Sequence, residues 1–256
     1  MNKITEKMST SIEDEGEKYD RVIDQQVYKY YVSKKIRLVR NWLDKKKLVL
    51  DVGCGTGAYT IPLAKQSEIV VGLDTSLAMI KRGFSKARCL GMDNICFVAG
   101  DVSHIPFRDN TYDLVFSVNL FHHVAVEGSI IAGLLEKTRC TKRGGHVIVF
   151  ELNPDSLGWS NNFIPLIVRS CVYFLTSPFR QNVIDHDEKQ TKIPNITGLL
   201  AGIPKAKVCL RKFGGFIPPY CPGFLFKSFI LMERILEALP ILKMFGAHTF
   251  AVVEVQ

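Results

Sequence analysis

The sequence predicts an α/β protein built around a doubly wound, largely parallel sheet. Three observations carry that expectation. From Lys47 onward, short aliphatic runs alternate with longer helix-compatible segments, the pattern of repeated βα units. The first run, "KLVLDV", is a short apolar stretch, as expected of a strand covered on both faces. The first run leads into "LDVGCGTGAY", Leu50 to Tyr59, where Gly53, Gly55 and Gly57 mark a sharp turn from strand into helix.

Each element follows in order. Residues 1–18 are polar and are expected to form a flexible N-terminus, with 19–256 as a single domain. Tyr19 to Leu43 lacks Gly and Pro and places Val22, Val27, Tyr30, Tyr31, Ile36 and Val39 at helical spacings, so one or two N-terminal helices are expected. "KLVLDV", Lys47 to Val52, is the first strand. "EIVVGLD", "ICFVAGD" and "YDLVFSVN" supply the next three, with a helix over Ser76 to Leu90 between the first two of them. A helix from Ala125 to Cys140 precedes the strand "GGHVIVFEL". Ser76 suits a helix N-cap, and Gly144 and Gly145 suit a helix exit. Between Asn153 and Lys205 the alternation breaks at Pro154, Pro165, Pro178, Pro194 and Pro204, so 153–205 reads as a cap or insertion. "AKVCLRKF", an amphipathic stretch from Phe224 to Leu239 and the strand "HTFAVVEV" then resume the pattern.

Composition narrows the function classes. A chain of 256 residues with 47% apolar content can bury a full core. The formal charge of +8 permits anionic partners without identifying one. The basic clusters Lys45 to Lys47 and Lys81 to Arg88 read as solvated faces, and no recognisable nucleic-acid appendage is present. The seven cysteines occur singly, with no C-x-x-C pair, which argues for reduced thiols and against a zinc site. No metal is expected. The charged start lacks the apolar core of a secretion signal. The two most apolar stretches, "NFIPLIVRSCVYFL" and "GFLFKSFILMERILEALPIL", are interrupted by Pro165 and Arg169 and by Lys227, Glu233, Arg234 and Glu237. Neither offers roughly 20 clean apolar residues, so no membrane span is expected. A cytoplasmic location follows, with peripheral membrane contact left open through Phe163 to Leu175.

The glycine run has the spacing G-x-G-x-G, not the G-x-G-x-x-G of dinucleotide sites. Asp51 lies just before it, Asp74 closes the second strand and Asp101 closes the third. Open α/β sheets bind ligands at the carboxyl ends of their strands. Three carboxylates there would repel a pyrophosphate and suit a cationic ligand.

With these residues the chain resembles the class I S-adenosylmethionine-dependent methyltransferases, particularly the small-molecule branch that contains the quinone-biosynthesis C-methyltransferases. The matching stretches are "LDVGCGTGAYT", "VGLDTSLAMI", "AGDVSHIPFRDNTYDLVFSVNLFHHV" and "KRGGHVIVFELNP". The resemblance implies a Rossmann-like sheet of seven strands in the order 3-2-1-4-5-7-6, the last antiparallel, and S-adenosyl-L-methionine as cofactor. It implies Asp51, Gly53, Cys54, Gly55, Thr56 and Gly57 around the methionine moiety and Asp74 at the ribose. Thr75 and Met79 would lie at the adenine side, Asp101 and Val102 at the adenine amino group and ring. Ser117 and Asn119 would face the methionine part and the acceptor. The expected activity is methyl transfer to an apolar or amphipathic small molecule such as a lipid, quinone or phenolic. The alternatives are an RNA or protein methyltransferase and a non-catalytic binding module.

"FHHV", Phe121 to Val124, adds His122 and His123 as candidate acceptor contacts or bases, because imidazole titrates near neutral pH. Adjacent histidines diverge in any regular structure and make a poor chelating pair. A packing role competes with the catalytic one. "IPPY", Ile217 to Tyr220, lacks the leading Asn or Asp of an amino-methyltransferase motif and reads as a rigid loop.

Overall fold

The computed structural model describes residues 25–45, 47–124, 127–153, 196–215, 223–239 and 246–256. Helix α1 (Gln25–Val39) ends in a 3-10 turn at Arg40–Trp42 and leads into β1 (Leu48–Val52). The units α2 (Thr60–Ala64), β2 (Ile69–Asp74), α3 (Leu77–Cys89), β3 (Ile95–Ala99) and β4 (Tyr112–Val118) follow. After a second 3-10 turn at Phe121–His123 come α4 (Glu127–Cys140) and β5 (Thr141–Leu152). The remaining elements are α5 (Ile196–Ala201), β6 (Ala206–Gly214), α6 (Gly223–Ala238) and β7 (His248–Val255).

All seven strands form one sheet in the order β3-β2-β1-β4-β5-β7-β6. The β1–β2, β1–β4, β2–β3 and β4–β5 pairs are parallel, whereas β7 runs antiparallel to both β5 and β6. The expected order and the reversed last strand are therefore both present. Apolar residues on the two faces make two cores. One gathers Leu50, Val115 and Val149 with Phe121 and Leu134. The other gathers Val49, Phe116 and Phe150 with Val39 of α1 and Leu63 of α2. This two-sided burial is why β1 and β4 are apolar at nearly every position.

Local signals explain the boundaries. Ser76 caps α3, its hydroxyl accepting from the Met79 amide at 3.4 Å. Gly144 and Gly145 do not end a helix, because α4 passes at Cys140 directly into β5. They sit in a strand irregularity, where Thr141 pairs with Tyr112 but His146 pairs with Leu114. Gly144 has φ +72° there, the conformation that a bulge asks of a glycine.

The expected flexible N-terminus at 1–18 and Tyr19 lie outside the described residues. So do residues 154–195, most of the expected cap at 153–205, and "IPPY". Among the described residues no helix is long and apolar enough to cross a membrane.

Candidate active site

The site is built where β1 stops. Its chain turns over the sheet edge, and the amides of Gly53 and Cys54 both donate to the Leu73 carbonyl at the end of β2, at 2.7 and 3.0 Å. Gly53 has φ +75°, and a Cβ placed there would lie 2.7 Å from the Leu120 side chain. The position needs glycine for both reasons.

Asp74, the last residue of β2, ties this loop to the next helix. Its Oδ2 accepts from the Gly55 amide at 2.8 Å and its Oδ1 from the Ser76 amide at 2.9 Å. Each carboxylate oxygen keeps a second acceptor direction. One residue therefore organises the turn and also faces the cavity. Asp101 is exposed and uses Oδ1 to accept from the Ser103 amide at 2.7 Å and hydroxyl at 2.6 Å. Those bonds hold its carboxyl below the usual range.

A cavity of about 270 Å³ opens at this edge, and Gly53, Asp74, Thr75, Asp101, Val102 and His123 all line it. The structure thus brings six of the sequence-predicted residues to one wall. His123 is exposed at the rim, in the 3-10 turn after β4. The backbone of His122 shares that turn, and its side chain lies outside the described residues.

Other candidates sit behind the wall. Asp51 is buried and accepts from the Thr60 hydroxyl at 2.7 Å. Burial pushes its carboxyl up to about 7. Cys54 is buried against Gly72, and burial raises its thiol. Thr56 is buried and accepts from Lys86 at 2.9 Å. Gly57 packs against the Phe97 ring. Thr56 and Gly57 line a different cavity of about 400 Å³, together with Tyr28 and Lys86. Met79 lies in the first turn of α3 and lines neither cavity.

Ser117 is fully buried at the end of β4 and accepts from Lys137 Nζ at 2.6 Å. Asn119 follows at φ +51°, a conformation that Asn tolerates better than most residues. Its amide donates to the Phe150 carbonyl at 2.8 Å, and its Oδ1 is buried without a hydrogen-bond partner. An orphaned acceptor of this kind is where a ligand N–H fits.

Two residues of this region escape sequence reasoning. Lys137 of α4 is fully buried, 4.1 Å from the Phe121 ring centroid. Burial pushes its ammonium down to about 7, against the pull of Glu151 and Asp51. Glu151, buried near the end of β5, accepts from the amides of Leu120 and Phe121 at 2.7 and 2.9 Å. Its place at a strand end, like that of Asp74 on β2, was the available signal. Among the described residues no group of three His, Cys, Asp or Glu side chains could hold a metal ion.

The donor set fits a cationic nucleoside ligand: two carboxylates line the cavity at the strand ends, and among the described residues no lysine or arginine does.

Comparison with known proteins agrees with this geometry. Residues 49–145 match the family described as "Methyltransferase domain". The demethylmenaquinone methyltransferase of Corynebacterium kroppenstedtii is 37% identical over 122 residues, 46% of this chain and 48% of that protein. The enzyme of the same name from Paenarthrobacter aurescens is 31% identical over 174 residues, 66% of this chain and 65% of that one. The chain spans about half the length of most curated relatives it matches. Among solved structures, a SAM-dependent methyltransferase of Methanosarcina mazei aligns with a TM-score of 0.57 at 15% identity, covering 85% of this chain and 96% of that one. A protein of Pyrococcus horikoshii aligns with a TM-score of 0.59 at 16% identity, covering 92% and 94%. At such identities the structures show the shared fold. Over residues 49–145 the chain is thus similar to the methyltransferase-domain family, and the relatives it resembles there include demethylmenaquinone methyltransferases.

Proposed function

We propose that this protein transfers the methyl group of S-adenosyl-L-methionine to an apolar or amphipathic small molecule by in-line displacement. The observation that carries this reading is the cavity at the carboxyl ends of the first three strands, which collects Asp74 and Asp101 and, among the described residues, no lysine or arginine. Bound there, the cofactor supplies a methyl group already activated on a sulfonium.

The chain's own part is to hold and orient. Asp74 takes the ribose hydroxyls, with Thr75 and Met79 toward the adenine. Asp101 and Val102 take the adenine amino group and ring. Gly53 to Gly57 and Asn119 surround the methionine end, while Asp51, Cys54, Thr56 and Ser117 shape that end from beneath. Displacement of this kind needs mainly alignment of the acceptor atom. A base helps only where the acceptor must lose a proton, and His123, at the cavity rim, is in position to take it, with His122 as the neighbouring candidate.

The relatives named demethylmenaquinone methyltransferase support a quinone-type acceptor. In this reading residues 19–256 act as one domain, with the tyrosine-bearing α1 contributing to the acceptor side. Exposed Phe224, Leu231 and Ile235 on α6 suit peripheral contact with a membrane surface from the cytoplasm, where a lipid-soluble acceptor is met. Calorimetric titration with S-adenosylmethionine, and separately with NADH, tests the reading. Saturable binding of the first alone supports it, and binding of NADH alone replaces it with a redox function.

A further inference from the structure

A separate cavity lies between α1 and the ends of β5, β6 and β7. It offers about 90 Å³; its apolar lining includes Leu38, Phe150 and Phe250, and its charged lining is Lys35 together with the Lys34–Glu237 pair. One wall is aromatic: the Phe150 and Phe250 rings stack with centroids 4.4 Å apart.

Lys35 sets the chemistry of this space. It is only 5% exposed. Among the described residues its Nζ makes no hydrogen bond and has no carboxylate within ion-pair distance. It faces ring surfaces instead, 5.6 Å from the Phe150 centroid and 5.9 Å from that of Tyr59. The α6 carboxylates nearby are engaged by its neighbour, since Lys34 pairs with Glu233 at 3.0 Å and Glu237 at 2.6 Å. Burial pushes the Lys35 ammonium down to about 7, with Glu151 opposing the shift from a distance.

On a side chain only 5% exposed, Lys35 Nζ keeps three donor directions that a ligand oxygen can fill. The aromatic walls favour a flat apolar body. We propose that this cavity binds a single-ring aromatic compound carrying an acidic oxygen, with Lys35 Nζ donating to that oxygen and the Phe150 and Phe250 rings packing against the body. The cavity's Lys35 approaches the ring of Tyr59 at 5.9 Å, and Tyr59 stands at the start of α2 after the glycine loop. The cavity's use as the acceptor site rests on the methyl-transfer reading, whereas its existence as a binding site does not.

The test titrates the full chain at neutral pH with para-nitrophenol, which is partly ionised there, and with nitrobenzene, which has no acidic oxygen. Wild type is expected to prefer para-nitrophenol by about tenfold. Lys35→Met, which keeps the apolar stem, is expected to remove that preference while leaving S-adenosylmethionine affinity unchanged. Equal affinity for the two compounds in wild type overturns the proposal without recourse to any variant, as does a preference that survives in Lys35→Met. If the para-nitrophenol preference holds while S-adenosylmethionine fails to bind, the cavity stands and the methyl-transfer reading falls.

Discussion

The carboxylate of Glu151 holds the amide of Leu120 at 2.7 Å, bridging the end of β5 to the turn that follows β4. The same oxygen accepts from Phe121. One buried acid therefore fixes the segment that lays Leu120 over Gly53 and sets His123 on the cavity rim.

Glu151→Ala is expected to lower folding stability by about 3 kcal/mol, because it leaves two amides without their acceptor and removes the acid facing two buried lysines. Denaturant unfolding measures this. An unchanged midpoint would show that the turn is held by its packing alone.

Asp74→Ala is expected to weaken S-adenosylmethionine binding by about tenfold or more, since it removes the cavity carboxylate and releases the Gly55 and Ser76 amides. Asp74→Asn, which keeps one acceptor, should fall between. Calorimetry distinguishes the three proteins, and equal affinities would remove Asp74 from the donor site.

Gly53→Ala should cost about 1–3 kcal/mol, from a positive φ and a contact that displaces Leu120. Gly128→Ala is the opposite case: it lies in α4, where an added Cβ meets nothing within 4 Å. It should leave stability unchanged or raise it by about 0.5 kcal/mol. Thermal melts of the pair would separate backbone strain from a generic effect of the added methyl.

Lys35 gives a pH signature. Its folded value, about 7, lies below its ordinary 10.5, so between those values the unfolded chain binds the proton that the folded chain has lost. Stability therefore rises with pH across that window, by up to about 1.4 kcal/mol per pH unit for one such group. Lys137 contributes in the same direction. Lys35→Met should flatten the rise by removing one of the two contributions, as read from denaturant midpoints between pH 7 and 10. An unchanged slope would mean that the Lys35 amine titrates normally in the folded state.

Much of the fold is legible in the sequence because two-sided burial leaves uninterrupted apolar runs. β1, β2 and β4 end within two residues of where those runs end, and "HTFAVVEV" is β7 in full. The strand order came from the family resemblance, since no periodicity encodes which strands pair. At the site, the acids closing β2 and just following β3 were found because strand ends are marked in the sequence and ligands bind there. Ser117 and Cys54, which the resemblance puts at the methionine end, have buried side chains, and Thr56 lines the second cavity, placements set by which way each side chain turns from the sheet edge. Lys35 and Lys137 were missed for a related reason. A lysine on a helix is read as solvated, and only the packing of that helix on the sheet decides that its stem and nitrogen are buried together.

The position of β7 also has a kinetic side. It lies between β5 and β6, although both precede it in the chain, and Leu152 pairs with His248. During synthesis the β5 edge must wait as an unpaired template until residues through Val255 emerge. Closure of the sheet is then a late, long-range event of the kind that slows folding and exposes a strand edge to neighbouring chains. Any chaperone dependence of this protein should accordingly centre on the open edge of β5.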